Sequence, residues 1–600
     1  MKLVIPHTGE MRAVDRRLVS LAEFLGIVCE SLRLEEHVRQ PAEYIERAVT
    51  DEHSCLVINP QLMREWLGRD VLPSDLVRCL VSHFRYLIIH AVTSDSSACG
   101  IVASLSRGKL SSVRPVEDVG RPYEIAVNSN DICGAFSGLS FGRVNPDNDR
   151  VFTVTSESVR KLICIGGQPL MAELAGDTAK ILFIGSEDVA DVNAHSGYAP
   201  VDDHFSRFMP HAMALRYVFG EECWHPCESH ASIIVDDPLL RPNYGFLNFD
   251  TLLRLAKEHK FHTSIAFIPH NYRRNSKEIL RQFTENPRYF SICYHGNDHT
   301  ASEFACHDVD FLNTALAIAE KRMRLQYERT GLGCDKVMVF PQSDFSIEAM
   351  QVLKSRNFAG AVSSAWHPLG QPVLPLLSDL CQPAMLQYEG FPLFGRNAAR
   401  STRSQDVAFN VFFGKPTMTG EHHDSFENVQ YLVEAVQRIN AVAPRISWSN
   451  LATAFSRSLL QRRALDGPVK IKPYSSTVTI TNHSPSGEQF SIEWGKPDRC
   501  VPLERVLRDG TPCSGVQADD AGVRAVVELP PGGSETFSLV CRNGHVTAES
   551  LGFQWNAKAF LRRRLSEVRD NHLSKHQSVL RLAKRLQRRL LPSAAVVSCI

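Results

Sequence analysis

The stretch Ala231-Ser232-Ile233-Ile234-Val235-Asp236-Asp237-Pro238 decides how the chain is read. An apolar run of strand length ends in two adjacent carboxylates. Like charges this close disfavour joint ionisation, so the pair reads as one carboxylate held by a metal and one that keeps a titratable role. Outward from it the chain keeps a regular beat. Asn248 or Asp250 caps a helix running to about His259, with Leu252, Leu253 and Ala256 on its apolar face. Residues 263–268 and 289–294 read as the next strands, followed by a helix over 308–329 that Gly331 terminates. Residues 337–340 and 358–362 are strands, with Ser346 capping the helix between them, and the apolar runs 409–413 and 416–419 follow. Repeated βα units of this size predict an α/β fold with a parallel sheet, open or closed.

Two further polar clusters sit at strand ends. In Tyr294-His295-Gly296-Asn297-Asp298-His299 the histidines are four apart, a spacing that one helical turn aims at a common point. Gly420-Glu421-His422-His423-Asp424 follows the run 416–419 and offers an imidazole to the same region. All three clusters fall at the C-terminal ends of predicted strands, the face on which barrel enzymes place their sites. One Asp with two His leaves a coordination position open for water, as a catalytic zinc-type site requires.

The order Asp-Asp, His-x-x-x-His, a proline-bearing strand end and a late His resembles the polysaccharide deacetylase (NodB-homology, carbohydrate esterase) superfamily, over about residues 229–465. The resemblance implies a (β/α) barrel and a metal-dependent hydrolase that removes N-acetyl groups from amino sugars of a polysaccharide or glycan. It implies Asp236 as general base, Asp237, His295 and His299 as ligands of a divalent metal, zinc by preference, and His423 as general acid with His422 its competitor. A backbone amide near Gln342 would hold the oxyanion. Arg241, Tyr244, Asn248, Asn297, Pro341, Gln342 and Trp366 are the candidate substrate contacts. The chain departs from the family in three places. Val339-Phe340-Pro341-Gln342 keeps only the proline of the Arg-x-Pro-Tyr motif, Ser363-Ser364-Ala365-Trp366 lacks the acid expected beside its tryptophan, and Pro238 replaces a glycine. These mark a divergent branch. The competing readings are a glycosidase on a related barrel and a catalytically degenerate carbohydrate-binding or scaffold protein.

The rest of the 600 residues divides around this region. Residues 1–110 read as an α/β accessory domain and 111–228 as a second one, Rossmann- or amidotransferase-like. Alternating apolar and polar residues over 468–545 predict a small antiparallel β-sandwich. Residues 551–600 form a basic helical tail, helical from about 557 to 590, which is read as an attachment to an anionic membrane surface or a protein partner, apart from catalysis. The formal net charge is +0, so no nucleic-acid partner is expected. The N-terminal apolar run is too short for a signal peptide and no stretch approaches the ~20 apolar residues of a membrane span. The protein therefore reads as cytoplasmic, peripheral to a membrane at most. Its 16 cysteines include no Cys-x-x-Cys and read as reduced thiols.

Overall fold

Every residue from His230 to Asp236 is buried, as a strand covered by helices on both faces must be. The computed structural model describes residues 1–35, 38–49, 54–118, 120–176, 178–196, 201–300, 302–388, 390–464, 467–495, 501–519, 522–542 and 551–572. They fall into two units.

The first unit comprises Met1–His225, Leu374–Cys381 and Gln461–Asp466. One nine-stranded sheet runs through it. Strands Cys29–Arg33, Leu3–His7, Cys55–Ile58, Tyr86–Ile89 and Lys180–Ile184 pair in parallel. Gln168–Ala175, Arg160–Ile165, Tyr123–Ile125 and Ser140–Phe141 continue it antiparallel. The stretches 1–110 and 111–228 thus share one sheet.

The second unit carries the three polar clusters. Its ten-stranded sheet runs Leu386–Tyr388, Phe391–Gly395, Gly360–Ser363, Asp335–Val339, Phe290–Tyr294, Thr263–Phe267, His230–Asp236, Thr417–His422, Asn397–Ala398, with Ser447–Trp448 also beside His230–Asp236. Every pairing is parallel except that of Leu386–Tyr388 with Phe391–Gly395. Parallel strands carry their C-terminal ends to one edge, and that alone gathers Asp236, Tyr294, Val339 and His422. Helices Phe249–His259, Val309–Thr330 and Ile347–Ser355 take the caps their sequences offer, Asn248, Asp308 and Ser346.

Three expectations are corrected. No closed ring of hydrogen-bonded strands, and so no complete (β/α) barrel, exists among the described residues. The one stretch that meets both ends of the ladder, through Phe391–Gly395 and Asn397–Ala398, is interrupted at Arg396. The apolar run 409–413 is helical, within Ser404–Phe413, because Phe409, Phe412 and Phe413 are buried on a helical spacing. Over 467–542 two sheets share one apolar core as the alternation demands, but Val469–Pro473 lies parallel to Glu488–Trp494. No described helix is long and apolar enough to cross a membrane. The tail helix extends over Phe553–Asn571, while its expected continuation to 590 lies outside the described residues.

Candidate metal centre and active site

Asp237, His295 and His299 converge, all buried, with ligand-type atoms within 4.8 Å of one another. Asp237 Oδ1 lies 3.1 Å from His299 Nε2 and 3.5 Å from His295 Nε2. Tetrahedral bonds of about 2.0–2.1 Å put neighbouring ligand atoms about 3.3 Å apart, so the trio is spaced for a single ion. Two of these atoms, Asp237 Oδ1 and His295 Nε2, are shut from solvent with no hydrogen-bond partner. Buried polar atoms are rarely left so without cause, and an ion is the partner this donor set fits. His295 Nδ1 faces the Val339 carbonyl at 2.8 Å, which orients the ring with Nε2 toward Asp237.

The convergence does not come from a helical turn, as the i, i+4 spacing suggested. His299 sits at φ 53° and Asp237 at φ 78°, in the left-handed region, as does Gln342 at φ 58°. A carboxylate holds the histidine loop in this shape. Glu303 accepts the backbone N–H groups of Asn297 (2.7 Å), Asp298 (3.2 Å), His299 (3.0 Å) and Thr300 (3.4 Å). Replacing Glu303 by Ala leaves those donors buried and unpaired and frees His299. Bound-metal titration of Glu303→Ala should show affinity weakened by about 10–100-fold, the usual cost of removing a group that orients a ligand.

Asp236 stands beside the trio in register with His422 on the adjacent strand. Its two oxygens take a bidentate pair from Arg396, Nη1 to Oδ1 at 2.7 Å and Nη2 to Oδ2 at 2.6 Å. Burial alone would push the Asp236 carboxyl up, but Arg396, helped by His295, overrides it and holds the group below the usual carboxylate range. Arg396 comes from the link between Phe391–Gly395 and Asn397–Ala398. Gly420 makes this possible: a Cβ there would lie 2.8 Å from Arg396 Cδ.

The two late histidines separate. His422 is exposed and reaches both carboxylates, with Nδ1 3.7 Å from Asp237 and Nε2 3.9 Å from Asp236. His423 is buried, packed edge-on to Tyr244 at 5.0 Å between ring centres, with Nε2 3.4 Å from Asp570 Oδ2. Gly245, at φ +60°, leaves room for it, since a Cβ there would fall 2.3 Å from His423 Nδ1. A cavity of about 360 Å³ is lined by Asp237, His299, Gln342, His422 and His423 on one side and by the helix Phe553–Asn571 on the other.

Other sequence candidates lie elsewhere. Pro341 is buried against Gly296. Tyr244 donates to Asp570 at 2.9 Å. Asn248 caps its helix. Asn297 is buried and engaged by Arg322 at 2.6 Å. Arg241 is exposed, turned toward the Arg274 carbonyl. Trp366 accepts from Tyr388 through its carbonyl at 2.5 Å. None of these six lines the cavity. Three contributors were not among the candidates: Arg396, Glu303 and Asp570.

No family model matches the chain, and no curated protein does. Among solved structures, the chain is similar to Agd3, described as a novel carbohydrate deacetylase, at 9% identity and TM-score 0.46, over 90% of this chain and 98% of that one. It is also similar to a family 4 carbohydrate esterase from Streptomyces lividans in complex with acetate, at 10% identity and TM-score 0.24, over 38% and 93%. A family 4 acetyl xylan esterase from Clostridium thermocellum, in complex with a cobalt ion, matches at 11% and 0.24, over 38% and 91%. What this site can do rests on its own side chains.

Proposed function

We propose that this protein is a metal-dependent hydrolase that removes N-acetyl groups from the amino sugars of a polysaccharide or glycan. The observation that carries the reading is the buried trio Asp237, His295 and His299, spaced for one ion, beside a carboxylate kept ionised by Arg396. A pure binding protein has no use for such a pairing. Asp237, His295 and His299 would hold a divalent ion, zinc by the character of this one-oxygen, two-nitrogen donor set, which would supply Lewis acidity toward an acyl oxygen and an acidified water. Asp236, fixed by two hydrogen bonds, accepts the proton of the attacking water on the carboxylate that Arg396 leaves poised. His423 then gives a proton to the departing amine nitrogen, which leaves acetate and a free amino sugar. His422, open to solvent and close to both carboxylates, stands on the side of the base rather than of the acid.

The test follows acetate release from an N-acetylglucosamine oligomer together with bound metal in one preparation. One divalent ion per chain is expected, with turnover lost on chelation and restored by zinc. His423→Gln should remove most turnover and His422→Gln much less. Metal-free protein with full acetate release, or no metal bound at all, overturns the proposal.

A further inference from the structure

The helix Phe553–Asn571, expected to be a tail apart from catalysis, lies across the mouth of the site. It docks by its polar face. Trp555 Nε1 donates to Asp298 Oδ2 at 2.9 Å, and its ring packs on Phe311 at 5.0 Å. Arg563 is buried, with one guanidinium nitrogen 3.3 Å from the His299 carbonyl. Arg274 clamps Glu567, with Nη2 2.6 Å from Oε2. Asn571 Oδ1 accepts the Gly245 N–H at 2.9 Å. The apolar residues Phe560, Leu561, Leu565 and Val568 face outward, 50–61% exposed. A helix held through its buried charged side is placed by specific partners rather than by apolar burial.

We infer that this helix is a working part of the active site and that Asp570 is a positioning residue which holds the His423 imidazole for proton transfer. The inference rests on the reading of the site as a hydrolase, and it assigns to the helix a role the strand-end motifs do not contain. His423 comes from the end of strand Thr417–His422, and its Nδ1 is buried without a partner. The only carboxylate within 4 Å of its ring nitrogens among the described residues is Asp570, at 3.4 Å. Asp570 is itself buried and fixed from two further sides, by Tyr244 Oη at 2.9 Å and by Arg569 Nε at 2.6 Å. A carboxylate fixed in this way defines which ring nitrogen carries the proton and where it points. The Ser363-Ser364-Ala365-Trp366 segment carries no acid to do this, and the helix provides one from more than a hundred residues further along the chain.

The test uses full-length Asp570→Asn, Asp570→Glu and Glu567→Gln. Acetate release from an N-acetylglucosamine oligomer gives kcat and KM, and bound metal is measured alongside. Asp570→Asn should lower kcat by about 10–100-fold with KM and metal content unchanged, the scale of removing an orienting partner. Asp570→Glu should recover part of it. Independently of turnover, diethyl pyrocarbonate labelling of His423, read by mass spectrometry, should run several-fold faster in Asp570→Asn. It should also run faster in Glu567→Gln, where the clamp to Arg274 is released at a distance from the histidine. If the unaltered protein releases no acetate, the hydrolase reading fails and labelling alone judges the helix. Labelling and kcat unchanged in all three variants would overturn the assignment of Asp570, as would a kcat loss in Asp570→Asn that appears only with loss of metal.

Discussion

Asp236→Asn is expected to keep the fold and the metal and to lose most acetate release, by ~10²–10⁴-fold, the usual worth of a positioned general base. Asn is nearly isosteric and still offers one oxygen to Arg396, so the fold around the 3% exposed side chain should hold, at a measurable cost in stability because the buried guanidinium loses its counter-charge. It cannot take the water's proton. Asp237→Asn should fail in another way. It removes the charged ligand that lies within 3.5 Å of both histidines, so metal content should fall first and turnover with it. Measuring acetate and metal in the same preparations separates the two neighbours. Full turnover by Asp236→Asn would show that the base lies elsewhere.

Arg396→Met should be the most destabilising single change at the site. The pair is buried on both sides, 7% and 3% exposed, and breaking a buried pair by removing one partner costs about 3–5 kcal/mol because the other charge is left uncompensated. The thermal midpoint should drop accordingly. The double variant Asp236→Asn with Arg396→Met should regain part of the loss, since no orphaned anion remains. Activity gives a second readout with a defined sign. Without the guanidinium, burial raises the Asp236 carboxyl, so the base is protonated over a wider range and the acid limb of the rate profile moves to higher pH. A single variant as stable as the parent, with an unmoved profile, would show that Arg396 does not hold the base.

The strand-end carboxylates and histidines were legible because two physical facts coincide. A parallel sheet delivers every strand's C-terminal end to one edge, and Asp and His in that position have few uses besides chemistry. The series of capped helices and buried strands around them was legible for the same local reasons, as at Asn248 and Ser346. Arg396 was not, because it acts from a link between two short strands that the apolar pattern did not mark, and its one trace in the sequence is Gly420, a glycine inside a strand where the arginine stem must pass. Glu303 was missed because it acts through backbone N–H groups, which no side-chain spacing reveals. Helix Phe553–Asn571 was misread for a different reason. Its run of basic residues reads as a face for an anionic surface or a protein partner, and nothing in its spacing points to the strand-end motifs. The surface it meets is the polar rim of the candidate metal site, so the charged face docks and Phe560 and Leu565 stay outside.

The left-handed backbone at Asp237, His299 and Gln342 bears on how this protein would change under laboratory evolution. Each such position costs a non-glycine residue roughly 1–3 kcal/mol, and glycine or asparagine would relieve it. A selection that rewards heat resistance alone therefore finds some of its easiest gains at residues proposed to hold the ion and at one that lines the cavity. Clones rising fastest in such a screen would be enriched in variants without the proposed activity, and the positions they share would mark the candidate site without any assay of activity having been run.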